Sequence, residues 1–448
     1  MKRIQAIDIL RGVAMLGLVF FHAFEKVAYN SVVAQIFSYP LYILIPLGLL
    51  IYFVSWRGFF LIISGIGNAY GFQKAIEKGK SPHIQLLNRL LWSIVLFFHA
   101  LAIQVFWNPY YGLYNVFLGV TGPSVWYLPG LQFSDAVEII AIGVALSSII
   151  QYFFTLGKMR FNPWIPIIAF GILMSIIYGV TPLLTEFFIS KFGWSSVRVI
   201  LYQPVNNFGD RVRWLSFALL IGEQEPLFPH LATFFLGSGI GIALTNPKIT
   251  KKNTILTGYS IGFLFIAVAL LLGGLKENFY VDFSIIPSLW FLLLGIGLQV
   301  WVITSFLWIF DFAKKAQKRT KFTKTIRRAG IITLTIFTLQ SLDFFPRWVL
   351  TKISTLVGSG INYINNSQGL ELGNAILMSF TVLIFWIGLI FLWGLINYAF
   401  SFDWIFEIFR RLTAGQKINW KDPLQSREII FKTESVFNSS NEILSRDY

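Results

Sequence analysis

The chain has 448 residues, 56% hydrophobic, 17% aromatic and only 13% charged, with a mean hydropathy of +0.67 and a formal net charge of +15. A soluble domain of this size needs far more polar surface. The lack of cysteine excludes disulfides, iron–sulfur clusters, thiolate catalysis and Cys-ligated zinc. The positive charge fits basic residues gathered in cytoplasmic loops rather than nucleic-acid binding, because no basic–aromatic module accompanies it.

Repeated apolar runs predict an all-α, polytopic integral membrane protein of about ten spans. The first covers 7–25 and contains "IDILRGVAMLGLVFFH". No small-residue cleavage site ends this run, so it reads as a retained span. Asp8 and Arg11 stand three apart, close enough to pair on one helix face. His22 follows Arg11 by eleven positions, a rotation that returns to within roughly 20° of the same face after a rise of about 16 Å. An intramembrane charge is costly and normally faces a partner or a wet cavity. The three side chains form one polar stripe, and His22 on the face of Arg11 favours function over a simple helix-end ion pair.

Segment 38–54 reads as a re-entrant or interfacial helix on the outer side, or as an extension of the second span, because a further full crossing would invert every later loop. The second span, 55–73, opens with Arg57, which could bind an acceptor but is read as snorkelling, and carries Ser64, Gly65 and Gly67. Residues 74–90 are basic and include His83 and Arg89, the best phosphate-side candidate. The third span, 86–106, holds His99, read as a hydrogen-bonded interior histidine. Segment 107–133 is highly aromatic, contains no Lys or Arg, and is expected to lie in the outer interface or to fold into a cavity.

Asp135 and Glu138 open the fourth span, 134–153, where acids suit a helix N-terminus and could also orient His22. A fifth span, 163–184, leads to a long segment, 185–227, expected as an external cap. The sixth, 228–245, begins with His230, read as interfacial, and contains "GSGIG", glycines suited to close helix packing. Spans at 254–274, 283–310, 329–347 and 375–400 complete the set; the ninth carries Gln340, expected to tie helices together, with Asp343 nearby. Placing the basic clusters at 74–90, 158–160, 248–252 and 314–328 in the cytoplasm puts both termini inside. The domain reading is therefore 1–400 as one membrane domain, then 401–448 as an amphipathic interfacial helix (402–415) and a polar tail.

The blocks "RIQAIDILRGVAML", "LRGVAMLGLVFFH", "FFLIISGIGNAYG", "SDAVEIIAIGVAL", "LFPHLATFFLGSGIGIAL" and "RAGIITLTIFTLQSL" occur in this order. Together they resemble the transmembrane acyltransferase superfamily: the acyltransferase-3 families, the heparan-α-glucosaminide N-acetyltransferase family and YeiB-like membrane proteins. The resemblance covers most of the chain. Phe337 departs from it, standing where YeiB-like proteins tend to have Tyr. Several YeiB-like members carry Asn where this chain has His22, and the histidine favours a working transferase.

The resemblance implies transfer of an acyl group, often acetyl, from cytoplasmic acyl-CoA to an extracytoplasmic acceptor such as a glycan, a lipid headgroup or a small molecule. It also implies a multi-pass protein of a prokaryotic cell membrane, with homodimers among related proteins. On this reading His22 is base or acyl carrier, with Asp135 as its orienter. Asp8, Arg11, Ser64, Gly65 and Arg89 line the donor site. Imidazole suits base work near neutral pH. A Lys/Arg-rich cytoplasmic mouth suits coenzyme A phosphates. No metal is expected, because the four histidines lie scattered without ligand spacing. A transporter or flippase of a small anion or lipid, and a non-catalytic scaffold of the same fold, are the competing readings; buried charges fit a transporter too, but the halves show no inverted repeat.

Overall fold

A computed structural model describes residues 4–35, 57–106, 136–156, 164–194, 208–222, 225–246, 250–275, 289–313, 321–364, 370–413 and 417–431, with the single positions 40, 42, 319 and 415. Most of segment 38–54, all of 107–133, Asp135, and Lys158 with Arg160 lie outside the described residues. Every regular element among the described residues is helical. Among the described residues, seven helices are long and apolar enough to cross a membrane: Gln5–Phe24, Pro82–Ile103, Ala136–Thr155, Trp164–Phe192, Lys251–Gly274, Leu289–Phe312 and Leu372–Leu395. The chain has the build of a multi-pass membrane protein.

Contacts divide the chain into two units, Met1–Trp56 with Ile309–Tyr448, and Arg57–Trp308. The first unit is discontinuous in sequence, so both ends of the chain belong to it.

In the first unit, α1 (Gln5–Gln35) packs mainly on α10 (Lys324–Ile331) and α13 (Leu372–Leu395). Its first turn exposes amide protons with no helical acceptor. Asp311 supplies one: Oδ1 accepts from Gln5 N at 3.0 Å and Oδ2 from Ala6 N at 2.8 Å. Gly12 and Gly330 let α1 and α10 touch through backbone. A Cβ on Gly12 would strike the Ile326 carbonyl, and one on Gly330 the Asp8 carbonyl.

The expected ninth span, 329–347, is not one helix. It is split into α10, α11 (Thr333–Thr338), a 3₁₀ turn (Gln340–Asp343) and α12 (Phe344–Leu356). Ile332 (φ −111°, ψ 37°) and Leu339 (φ −94°, ψ 17°) leave helical geometry at the breaks. The run Ile331–Ile332–Thr333 is β-branched, which weakens the helix locally. The freed polar groups are then satisfied from outside. Asp403, on α14 (Phe402–Thr413), accepts from Thr335 N at 2.9 Å and from Thr335 Oγ1 at 2.7 Å. The segment after residue 400 thus packs into this unit, α14 on α11 and α15 (Ser426–Phe431) on α10.

The second unit contains α2 (Arg57–Glu77), α3 (Pro82–Phe106), α4 (Ala136–Thr155), α5 (Trp164–Phe192), α6 (Phe208–Ile221), α7 (Leu227–Ala243), α8 (Lys251–Leu275) and α9 (Leu289–Leu307). Expected spans two and six correspond to α2 and α7. Polar and charged side chains at Asn68, Gln73, Lys74 and Glu77 keep α2 below the apolarity of a spanning segment, and α7 has only 17 residues. Even so, α7 is the axis of this unit. It is enclosed by α2, α4 and α5, with Phe234, Leu231 and Ile242 packed on Leu61, Ile139 and Phe170. Glycines make the approach possible: a Cβ on Gly65 would overlap the Phe234 carbonyl, and one on Gly237 the Ile62 carbonyl. α8 presents Leu256, Phe263, Leu264 and Leu271 outward, an apolar face suited to lipid. The part of the expected cap that is described is helical: the end of α5 and α6 join through a cluster of Trp194, Trp214, Phe188 and Phe217.

Candidate functional site

The polar stripe of α1 is continuous helix from Asp8 to His22 and borders the broken segment 324–343. The two run parallel in fixed register. Gly12 meets Gly330 and His22 meets Gln340, both at an offset of 318 residues. α1 positions the stripe, and the broken segment brings polar groups to it that an unbroken apolar helix would not.

At one end, Asp8 is buried. Its expected neighbour was Arg11. The structure adds Arg327, whose charge Asp8 favours while burial disfavours it, with a net lowering of the guanidinium pKa. Arg327 is fully buried and donates from Nη1 to Gln5 Oε1 at 3.1 Å and to the Ile429 carbonyl at 2.7 Å, and from Nη2 to the Ile430 carbonyl at 2.8 Å. Its planar fork fits two successive carbonyls, which a lysine ammonium would not. Arg11 is half-buried, and its charge acts on Asp403. Burial raises the Asp403 pKa, while the Thr335 hydrogen bonds and the Arg11 charge counter that rise. Lys324, exposed and over the Phe431 ring, and Arg328, stacked on Phe391, bring further positive charge to α10.

At the other end His22 is half-buried, and its Nδ1 lies 2.7 Å from Gln340 Nε2. Close by, Phe20 meets Phe380 edge-on, and Asp343 accepts from Trp386 Nε1 at 2.7 Å within the core. A carboxamide nitrogen can only donate, so Nδ1 accepts and the neutral ring carries its proton on Nε2. In this tautomer His22 can donate a hydrogen bond from Nε2. Turning the carboxamide by 180° puts Oε1 at Nδ1–H, and Nε2 then becomes a base. Gln340 can therefore pair with either tautomer of the imidazole.

Asp8, Arg11 and His22 belong to the first unit; Ser64, Gly65 and Arg89 belong to the second. Ser64 is half-buried on α2, and Gly65 is taken up by the backbone contact with α7 rather than by open space. Arg89 lies on α3 beside Gly71 of α2. Asp135 is outside the described residues. Glu138 is fully buried, as is His230, which sequence reading put at the interface. Among the described residues no three His, Asp or Glu side chains converge as metal ligands would.

The sequence reading took Arg327 only as part of the basic cluster 314–328, and did not single out Asp311 or Asp403, although Asp403 is an acid in the first turn of a strongly amphipathic helix. Comparison with known protein families finds no matching family, and comparison with curated proteins finds no matching protein.

Proposed function

We propose that the protein is a membrane-embedded acyltransferase whose donor is a cytoplasmic acyl-CoA, acetyl-CoA in the simplest case, and whose acceptor is an extracytoplasmic hydroxyl or amine such as that of a glycan. The observation that carries this reading is the Gln340–His22 hydrogen bond at 2.7 Å, on the same helix face as Arg11. A hydrogen bond at Nδ1 holds the ring in place and aims Nε2 away from Gln340, and an oriented ring nitrogen is the usual device for moving a proton.

The chemistry is a simple exchange. With Gln340 Oε1 at Nδ1–H, His22 Nε2 takes the proton of the acceptor as its oxygen or nitrogen attacks the thioester carbonyl. The tetrahedral intermediate collapses, the carbon–sulfur bond breaks, and the thiolate takes the proton back from His22. In the opposite tautomer Nε2–H stabilises the oxyanion instead. The positive groups Arg11, Lys324 and Arg328 suit the phosphates of the donor. About 16 Å of helix separates Arg11 from His22, a span comparable to the arm of coenzyme A.

The test is thioester turnover by purified protein with acetyl-CoA and a glycan acceptor. His22→Ala should abolish it. Gln340→Glu, which can only accept at Nδ1–H, should retain activity and shift the pH profile; Gln340→Leu should lose most of it. Equal turnover in His22→Ala would remove this histidine from the mechanism.

A further inference from the structure

The amphipathic helix expected at 402–415 is α14, and its faces are reversed relative to those of a helix on a soluble protein. Its carboxylates are sheltered. Asp403 accepts from Thr335 of α11. Glu407 accepts from Arg410 Nε and Nη2 and from Arg411 Nε, each at 2.7 Å. The Glu407 and Arg411 side chains are only 18% and 13% exposed. The apolar residues Ile405, Phe409 and Leu412 stand at positions i, i+4 and i+7, one stripe of the helix, and are 46%, 36% and 58% exposed. In water such an outward stripe is unfavourable; against acyl chains it is not.

The stripe continues a lipid-facing surface. α13 is long and apolar enough to cross the bilayer, and Phe391, Leu392 and Leu395 near its end are exposed. Ile396 and Phe400 carry that surface onward, and the exposed Phe400 ring meets the Trp404 ring of α14 at 5.5 Å. Between the two helices Asn397, Tyr398 and Phe400 hold left-handed φ angles of 52°, 59° and 63°, a turn that ends α13 and redirects the chain. The segment after α14 returns to the same end. Asn397 Nδ2 donates to the Lys421 carbonyl at 3.1 Å, and Arg427 Nε donates to Asn397 Oδ1 at 3.3 Å. The exposed Trp420, with Lys421 and Arg427, therefore sits where α13 ends, and Trp is a residue suited to the membrane–water boundary.

The charges around the stripe are sorted by sign. Among the described residues from 396 to 431, the exposed charged side chains are all basic: Arg410, Lys417, Lys421 and Arg427. The acids Asp403, Glu407, Asp422 and Glu428 are half-buried. None of these basic residues is one assigned to the acyl donor. We propose that this surface docks on a leaflet of anionic phospholipid. The α14 stripe, Phe400 and Trp420 enter the acyl-chain boundary, and Lys417, Lys421 and Arg427 meet the headgroup phosphates.

The chain has no cysteine, so Phe409→Cys and Leu412→Cys each carry a single nitroxide label. The full chain is reconstituted in vesicles of phosphatidylcholine mixed with phosphatidylglycerol. Both labels should relax with oxygen and be shielded from a water-soluble nickel chelate. Native mass spectrometry of protein extracted from the same vesicles should show phosphatidylglycerol retained over phosphatidylcholine. One lysine near an anionic surface strengthens the attraction about fivefold. Lys417→Gln and Lys421→Gln should each lower the enrichment by about that factor, at an unchanged unfolding temperature. Labels relaxed mainly by the nickel chelate would overturn the docking. So would labels shielded from both reagents, the result expected if a second copy covers the stripe. Enrichment unchanged when both lysines are replaced would overturn the assignment to anionic headgroups.

Discussion

Replacing Arg327 with leucine should uncouple the two ends of the chain. The guanidinium holds Gln5 Oε1 at 3.1 Å and the carbonyls of Ile429 and Ile430 at 2.7 and 2.8 Å, all away from solvent, with the Asp8 charge acting on it. Hydrogen bonds to a charged group contribute about 1.5–3 kcal/mol each. Their sum is offset by the cost of burying the cation, so removing one partner of such a set costs about 3–5 kcal/mol. For a unit of this size each kcal/mol lowers Tm by about 2–4 °C, giving a fall of roughly 6–20 °C. Thermal unfolding in detergent measures it, and limited proteolysis should release α15 first. Arg327→Lys keeps the charge near Asp8 but cannot serve both carbonyls, so it should fall between. A leucine variant that unfolds at the wild-type temperature with α15 still protected would refute the reasoning.

Gly330→Ala should cost about 1–3 kcal/mol by overpacking, because its new methyl would meet the Asp8 backbone; wild-type stability on thermal unfolding would contradict the α1–α10 contact. Asp403 sets a pH dependence. Burial holds its folded pKa above the usual 3.8, so the fold binds this proton more tightly than the unfolded chain does. Its stabilising contribution is full below that value and is lost as pH rises through the raised pKa. Asp403→Asn should remove this part of the slope in unfolding measured from about pH 4 to 7; an unchanged slope would assign it elsewhere.

Sequence reading went far where one helix carries the information. Asp8, Arg11 and His22 share a helix, so their common face follows from periodicity alone. Seven apolar helices were likewise legible, because hydropathy depends only on local composition. It failed where satisfaction comes from a distance. Segment 329–347 is apolar enough to be read as a span, and its β-branched run Ile331–Ile332–Thr333 weakens the helix without marking where it breaks. The break is tolerated because Asp403, 68 residues beyond Thr335, accepts the freed amide. Asp311 caps α1 from 306 residues away, and no local pattern encodes that. Gln340 was visible as a polar residue in an apolar run, but its bond to His22 depends on the parallel register of two separate segments. Gly65 was read both as a packing glycine and as part of a donor site, and the structure accounts for it by packing on α7.

The central claim is that the α1 stripe holds an acyl-CoA with its thioester at His22. A cryo-electron microscopy map with a non-hydrolysable acetyl-CoA analogue tests it most directly. The account predicts phosphate density at Arg11, Lys324 and Arg328, with the acyl carbonyl within hydrogen-bond distance of His22 Nε2. Analogue density away from α1, or a His22 ring that touches only protein and lipid with the analogue bound, would contradict it.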